Sequence, residues 1–213
     1  MKKTILAQFV LFCGVVLASA AVDVPADTRD PSPFTFQKDD VVAILGNGLP
    51  DRMQHDGWFE TALQSQLVGL NVRFRNMSAS GDRVDNIPRS EGFMGPSDYL
   101  RFVEADVVFA FFGYNESYEG VEGAINYQRR LVQMVKTVRG AQPNGESFPR
   151  IVLFSPIAFE NTGNPNLPDG TEHNARLAAY ADATRLAAEE AGVAYVDIYS
   201  ATFQMFESSD ANL

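Results

Sequence analysis

The sequence predicts a three-layer α/β domain with a mostly parallel, five-stranded sheet in the flavodoxin-like strand order. The first observation is that strand-like apolar runs alternate with helix-like amphipathic segments five times along the chain. The second is the continuously apolar character of runs such as residues 106–112, which is typical of strands covered on both faces. The third is the length of 213 residues, which suits one domain built with right-handed crossovers.

The elements are expected in a regular order along the chain. Strands are predicted at residues 40–46, 72–76, 106–112, 151–155 and 193–197. Helices are predicted at about residues 52–68, 97–104, 124–138 and 172–191, with a further helix beginning after the last strand. Glycines that follow three of these helices, and are expected to end them, are Gly69, Gly140 and Gly192.

Residues 1–20 have the pattern of a secretory signal peptide. Lys2 and Lys3 precede an apolar run from Ile5 to Leu17, and Ala18-Ser19-Ala20 forms an A-x-A cleavage site. The run is short for a membrane span, so we expect cleavage after Ala20 and a secreted or periplasmic product with no membrane attachment. An uncleaved membrane anchor is the alternative.

The remainder of the chain is predicted to divide into a linker and one domain. Residues 21–39 are rich in Asp, Pro, Ser and Thr and predict a linker, and residues 40–213 form the predicted domain. A hydrophobic content of 46% with 21% charged residues is typical of a soluble globular protein. The net charge of −10 disfavours binding to nucleic acid or to anionic lipid. Nothing in the sequence predicts an oligomeric state.

Cysteine chemistry is excluded from the predicted mature chain. The single cysteine, Cys13, lies inside the apolar run of the predicted signal peptide. After cleavage the chain would therefore contain no disulfide, no thiol nucleophile and no thiolate metal site.

Polar turns follow each of the first three predicted strands. They are residues 46–48 (Gly-Asn-Gly), 80–82 (Ser-Gly-Asp) and 113–116 (Gly-Tyr-Asn-Glu). In a flavodoxin-like sheet the carboxyl ends of these strands adjoin, so the main-chain amides and the Asn115 side chain are expected to converge. Convergent N–H donors in a concave site stabilise an oxyanion or a bound anion. Three unrelated turns, each with a glycine for its own backbone, are the alternative.

The sequence resembles the SGNH, or GDSL-like, hydrolase family from about residue 40 to residue 207. That family has Gly-Asp-Ser after the first strand, a glycine after the second, Gly-x-Asn-Asp after the third and Asp-x-x-His near the C-terminus. Residues 41–48, 76–82 and 113–116 correspond to the first three blocks. The resemblance implies that Gly81 supplies a main-chain N–H, and Asn115 a side-chain N–H, to an oxyanion hole. It also implies hydrolysis of small or carbohydrate esters without a cofactor.

The chain departs from the family pattern at the catalytic positions. Gly48 stands where the nucleophilic serine belongs, Asn47 replaces the preceding aspartate, and Glu116 replaces the aspartate of the third block. A glycine has no side chain, so covalent catalysis of the serine type cannot occur at residue 48 and only its backbone N–H could contribute. The Asp-x-x-His block is absent, and we expect it beyond Leu213 in a longer gene product.

Further residues near the turns are candidates for ligand binding. They are Asn47, Asp82, Tyr114, Glu116 and His55. The other histidine, His173, follows a long loop and is expected at the surface or at a helix cap. Ser80 and Asp82 are expected to shape their turn, and Phe111 and Phe112 to belong to the core.

The sequence leaves several functional hypotheses open. The leading hypothesis is an exported hydrolase of small esters, plausibly of acyl groups on carbohydrate, without a metal or another cofactor. The main alternative is a catalytically disarmed pseudo-enzyme that binds a glycan or a small anion in the same pocket. A nucleotide binder is disfavoured because the first turn lacks a phosphate-cradling loop. A metal hydrolase would require the acidic residues Asp51, Asp56, Asp82 and Glu116 to cluster.

Overall fold

A computed structural model describes residues 34–89 and 91–208 of the chain. The strands are β1 (Val41–Gly46), β2 (Arg73–Asn76), β3 (Val107–Phe111), β4 (Arg150–Phe154) and β5 (Ala194–Val196). The α-helices are α1 (Gly48–Asp56), α2 (Trp58–Gln66), α3 (Pro96–Phe102), α4 (Ala124–Ala141), α5 (Thr171–Ala191) and α6 (Ile198–Ser208). Two short 3₁₀ turns, Glu116–Glu119 and Val121–Gly123, connect β3 to α4. The predicted signal peptide, residues 1–20, lies outside the described residues.

The five strands form one parallel sheet in the order β2-β1-β3-β4-β5, which confirms the predicted fold. Alternate side chains of each strand enter two separate cores, because successive strand residues point to opposite faces. Ala43 and Val108 pack with α3, α4 and α5 on one face. Ile44 and Phe109 pack with α2 and α6 on the other face. The molecule therefore has the three layers that the alternating pattern predicts.

The predicted helix at residues 52–68 is wrong in its start and in its continuity. Helix α1 begins at Gly48, directly after β1, and Gly57 separates it from α2. The φ angle of Gly57 is 60°, in the left-handed region that glycine adopts without strain, and the chain changes direction there. The sequence pattern merged the two helices because both place apolar residues toward the same face of the sheet.

The long helices α4 and α5 match their predicted apolar faces. All five predicted apolar residues of α5 are buried: Leu177, Tyr180, Ala181, Thr184 and Ala188. Gly192 follows α5 as a left-handed C-cap, as predicted. Gly140, in contrast, lies inside α4, which ends one residue later and is capped by Gln142 with a φ of 40°.

The end of the predicted linker is packed onto the domain. The rings of Phe34 and Phe36 contact the ring of Phe109 edge-on, at centroid distances of 5.8 and 6.0 Å. Arg150 Nη1 donates a hydrogen bond of 2.8 Å to the carbonyl oxygen of Thr35. The ordered domain therefore includes residues before the predicted boundary at residue 40, since these aromatic side chains cover the sheet.

The strand order places the ends of β2, β1 and β3 next to one another. The turns that follow these strands meet at one edge of the sheet, where parallel α/β domains bind ligands. Within residues 34–89 and 91–208, no helix is both long enough and apolar enough to cross a lipid bilayer.

Candidate active site

A cavity of about 370 Å³ opens at the carboxyl edge of the sheet. Its lining comes from all three polar turns and from the chain that follows β4. The residues that line it are Asn47, Gly48, Leu49, Arg52, Ser80, Gly81, Phe111, Phe112, Tyr114, Asn115, Ser155, Pro156 and Ile157. The sequence-predicted residues Gly48, Gly81 and Asn115 are therefore brought together at one cavity.

Gly48 is the first residue of α1 and leaves space inside the cavity. A Cβ atom built on Gly48 would have Ser80 Oγ, at 3.9 Å, as its nearest neighbour from outside its own segment of chain. The φ angle of Gly48 lies outside the left-handed region, so its backbone conformation is open to other residues. The helix start therefore presents a main-chain N–H and an unfilled space where the resemblance places a serine.

Asn115 connects the second and third turns. Its Nδ2 atom donates a hydrogen bond of 2.9 Å to the carbonyl oxygen of Asp82. An asparagine amide carries two N–H donors, so this bond fixes the side chain and leaves the second N–H available to a ligand. Asn115 is partly buried and lines the same cavity as Gly81, the residue directly before Asp82.

An ion pair behind the second turn holds Asp82 in place. Arg89 Nη1 and Nη2 each donate a hydrogen bond of 2.7 Å to the two carboxylate oxygens of Asp82. Arg89 Nη2 also donates to the carbonyl oxygen of Met77 at 3.1 Å. Asp82 is buried and lines a neighbouring cavity of about 330 Å³. It does not line the cavity that Gly48 and Asn115 share. Its geometry is that of a support for the turn, which matches the expectation that Asp82 shapes it.

Ser80 and Asp51 form a hydrogen-bonded pair beside Gly48. Ser80 Oγ donates to Asp51 Oδ2 at 2.6 Å, and the Ser80 main-chain N–H donates to the same oxygen at 3.2 Å. Gln54 Nε2 donates to the other carboxylate oxygen at 2.6 Å. The hydrogen bond from the Ser80 hydroxyl is the largest influence on the pKa of Asp51, which lies below its ordinary value. The carboxylate is thus ionised and oriented toward Ser80 at neutral pH.

Two of the predicted binding residues, Asn47 and Tyr114, line the cavity. Asn47 is 3% exposed, and its Nδ2 atom has no hydrogen-bond partner within the described part of the chain. A buried amide without a partner loses the hydrogen bonds it makes in water, and a ligand could restore one. Burial raises the pKa of Tyr114 to about 12, and neighbouring Tyr118 acts in the same direction, so the phenol stays neutral.

Glu116 faces the protein interior and does not line the cavity. It is completely buried, and its two carboxylate oxygens accept hydrogen bonds of 2.8 Å from the main-chain N–H groups of Gly113 and Val84. Burial raises the pKa of Glu116, while these two donors act in the opposite direction. The prediction of Glu116 as a ligand contact is not supported by this placement, because both oxygens are occupied in joining two loops.

The histidines lie where the sequence did not place them. His55 is exposed in the last turn of α1 rather than its first, and it does not line the cavity. His173, expected at the surface, is 5% exposed and packs among Phe159, Tyr114 and Tyr118 at centroid distances of 5.0–5.1 Å. Burial lowers the pKa of His173, so the ring is neutral at pH 7.

Several lining residues were missed by the sequence reasoning. Arg52 lies at the cavity, and its spacing of four residues from Gly48 on a helix was the available signal. Pro156 and Ile157 close the cavity together with Ser155, for which the position at the end of a predicted strand was the available signal. Phe111 and Phe112 are buried as expected for core residues and also form part of the wall.

No group of three or more His, Cys, Asp or Glu side chains that could hold a metal ion occurs in the described ranges. Three of the four acidic residues proposed for such a cluster have separate partners. Asp51 pairs with Ser80, Asp82 with Arg89, and Glu116 with main-chain N–H groups.

The sequence profile described as the GDSL-like Lipase/Acylhydrolase family matches residues 46–213. The chain belongs to this family. The match to the GDSL-like family spans all three polar turns. It therefore includes Gly48, Gly81 and Asn115, whose N–H groups line the cavity. Among curated protein sequences, none matches the chain.

Solved structures with the same fold include several esterases. A gut microbial diltiazem-metabolizing enzyme superposes with a TM-score of 0.59 at 17% identity; the match covers 84% of this chain and 41% of that one. A carbohydrate acetylesterase from Sinorhizobium meliloti gives 0.53 at 15% identity, covering 75% and 84%. The aryl esterase of M. smegmatis gives 0.50 at 14% identity, covering 74% and 83%. At these identities the likeness shows that the GDSL-like chain shares the fold of these proteins.

Proposed function

We propose that the full-length protein is an exported hydrolase of small esters, with acyl groups on carbohydrate as the substrate class. The observation that carries the proposal is the shared cavity of Gly81 and Asn115, in which Asn115 is fixed by the Asp82 carbonyl oxygen. The family membership of the chain and the similarity to a carbohydrate acetylesterase support the choice of reaction and substrate. Export rests on the signal-like pattern of residues 1–20.

The Gly81 N–H and the second Asn115 N–H would stabilise the oxyanion that forms when the ester carbonyl is attacked. Such fixed donors act most strongly on the tetrahedral intermediate, where the carbonyl oxygen carries a full negative charge. The N–H of Gly48 lies at the start of α1, where the positive end of the helix dipole also favours this charge. Water must supply the attacking oxygen, because residue 48 has no hydroxyl.

The family's Asp-x-x-His block supplies a histidine to the site, whereas neither His55 nor His173 lines the cavity. A histidine from that block is one candidate base for the attacking water. The complete reading frame is therefore the protein to assay.

The test is hydrolysis of 4-nitrophenyl acetate, 4-nitrophenyl butyrate and glucose pentaacetate by the full-length protein. We expect Asn115→Ala to lower kcat by about 100-fold, as removal of one oxyanion donor does. Asn126→Ala, which removes an exposed amide on α4, is the matched control and is expected to keep wild-type activity. The proposal fails if the correctly folded wild type hydrolyses none of these esters.

A binding function is the second candidate, and the missing side chain at Gly48 favours it. The Nδ2 atom of Asn47, which has no hydrogen-bond partner within the described residues, could donate to an oxygen of a bound glycan or small anion. Titration calorimetry with acetate and with xylo-oligosaccharides tests this candidate. Binding by an inert wild type, together with esterase activity gained only in Gly48→Ser, would support it.

A further inference from the structure

We infer that Ser80 and Asp51 form the proton relay that activates the attacking water in place of the missing serine. The inference rests on the proposed ester hydrolysis and names the groups that would carry out its first step. Ser80 lines the cavity with Gly48, Gly81 and Asn115, and its hydroxyl donates to Asp51 Oδ2 at 2.6 Å. It is a hydroxyl of the cavity that already has a carboxylate to receive its proton.

The space beside Gly48 leaves room for a water near Ser80. A serine Cβ at residue 48 would lie 3.9 Å from Ser80 Oγ, and nothing else outside the neighbouring chain approaches it within 4 Å. A water in the room of the absent side chain that lies about 1 Å closer to Ser80 Oγ than the Cβ position would be within hydrogen-bonding reach of that hydroxyl. A hydroxyl can accept one hydrogen bond while it donates another, so Ser80 can accept from the water and donate to Asp51.

The surroundings of Asp51 hold its carboxylate ionised and oriented toward Ser80. The Ser80 main-chain N–H and Gln54 Nε2 both donate to the carboxylate, which holds its plane toward Ser80. The charged group that acts on Asp51 from its own helix is Arg52, which also lines the cavity. The carboxylate is therefore ionised and available as an acceptor.

The proposed step conserves atoms and electrons. The water oxygen forms a bond to the ester carbonyl carbon while its proton passes to Ser80 Oγ and the Ser80 proton passes to Asp51. The π electrons of the carbonyl group move onto the carbonyl oxygen. The N–H groups of Gly81 and Asn115 donate hydrogen bonds to this oxyanion. When the intermediate collapses, the bond to the leaving alcohol oxygen breaks, and that oxygen takes the proton back from Asp51 through Ser80. The products are the carboxylic acid and the alcohol.

A second Ser–Asp pair, joined by the same two kinds of donor, provides a control. Ser200 donates to Asp197 from its main-chain N–H at 2.9 Å and from its hydroxyl at 2.7 Å. Asp197 directly precedes α6, Ser200 lies in its first turn, and neither residue lines the cavity. A purely structural function for the Ser80–Asp51 pair predicts that both pairs affect stability alone.

The experiment measures ester hydrolysis by the full-length protein and its Ser80→Ala, Asp51→Asn and Ser200→Ala variants. We expect Ser80→Ala and Asp51→Asn to lower kcat by about 100-fold, a typical contribution of general-base catalysis, with KM little changed. Ser200→Ala is expected to keep wild-type kcat. Ser80→Thr retains the hydroxyl and is expected to stay within about tenfold of wild type.

The pH profile separates the relay from a structural role of Asp51. The base must be ionised, so wild-type kcat/KM falls as the pH drops through the pKa of Asp51, which the hydrogen bond from the Ser80 hydroxyl holds below its ordinary value. Asp51→Asn has no such group and should show a low rate without this acidic limb. The profile keeps the inference testable even if Ser80→Ala fails to fold.

Three results would overturn the relay. If Asn115→Ala impairs hydrolysis while Ser80→Ala and Asp51→Asn retain wild-type kcat, the proposed function stands and the relay is wrong. If mass spectrometry finds an acyl group on Ser80 during turnover, Ser80 is a nucleophile rather than a relay. If the folded wild type hydrolyses no ester of the panel, the proposed function fails and the relay fails with it.

Discussion

The side-chain Nδ2 of Asn115 lies 2.9 Å from the carbonyl oxygen of Asp82, so the turn after β3 is tied directly to the turn after β2. The Asp82 side chain is in turn held by Arg89, which does not line the cavity of Gly48 and Asn115. The alignment of the two candidate oxyanion donors therefore depends on an arginine behind the site.

Replacement of Arg89 is expected to destabilise the protein and to impair hydrolysis together. Arg89→Ala leaves the buried Asp82 carboxylate without its partner, which costs about 3 kcal/mol of unfolding free energy. Arg101→Ala removes an ion pair with Asp98 that is largely exposed, and its expected cost is below about 1 kcal/mol. Urea unfolding measures both, and equal losses for the two variants would contradict the importance of burial for Asp82.

Serine is expected to be tolerated at Gly48 but not at Gly46. A Cβ at Gly48 has no neighbour closer than 3.9 Å, whereas a Cβ at Gly46 would lie 2.4 Å from the carbonyl oxygen of Phe111. Gly48→Ser should change the free energy of unfolding by less than about 1 kcal/mol. Gly46→Ser should cost at least about 2 kcal/mol, because β3 must move. Denaturant unfolding tests the contrast, which a large loss of stability in Gly48→Ser would refute.

His173 is expected to make folding stability fall between neutral and mildly acidic pH. Burial lowers its folded-state pKa, and the positive charge of Arg176 adds to the effect. As the pH falls below about 6.5, the unfolded chain binds a proton that the folded protein does not, so stability is lost until the folded pKa is reached. In His173→Phe the aromatic packing remains and this loss should shrink.

The measurement is the free energy of unfolding at about pH 7 and about pH 5, where a histidine of ordinary pKa changes charge. His55→Gln is the control, because His55 is exposed and lies outside the aromatic group. It should keep the wild-type difference between the two pH values. If His173→Phe keeps the full difference as well, other groups cause the pH dependence.

The sequence predicted the centre of the sheet well because β1, β3 and β4 are buried on both faces. Runs such as Val107–Phe111 are apolar without interruption, which is typical of strands covered on both faces. The break between α1 and α2 could not be predicted in the same way. Both helices face the same core, and the pattern does not show whether Gly57 is a weak helix residue or a left-handed turn.

The sequence predicted the part of the cavity that the three polar turns form. Gly48, Gly81 and Asn115 follow strands that adjoin in the sheet, so topology alone brings them together. Side-chain directions were not available from the pattern, which is why Glu116 was expected in the cavity and is found in the interior. Ser80 lies in the turn after β2 and Asp51 lies on α1, 29 residues earlier in the sequence. Their pairing could not be predicted from the sequence, because it depends on how the turn packs against the helix.

Gly48 also bears on how reversible the loss of the serine is. The backbone there has no conformation that only glycine adopts, and the surrounding chain has not filled the space that a side chain would need. In a gene that encodes this glycine as GGT or GGC, one base change would produce a serine codon. A lineage carrying this chain therefore stays one mutational step from a hydroxyl at the helix start, and any selection for the glycine must act on function rather than on folding.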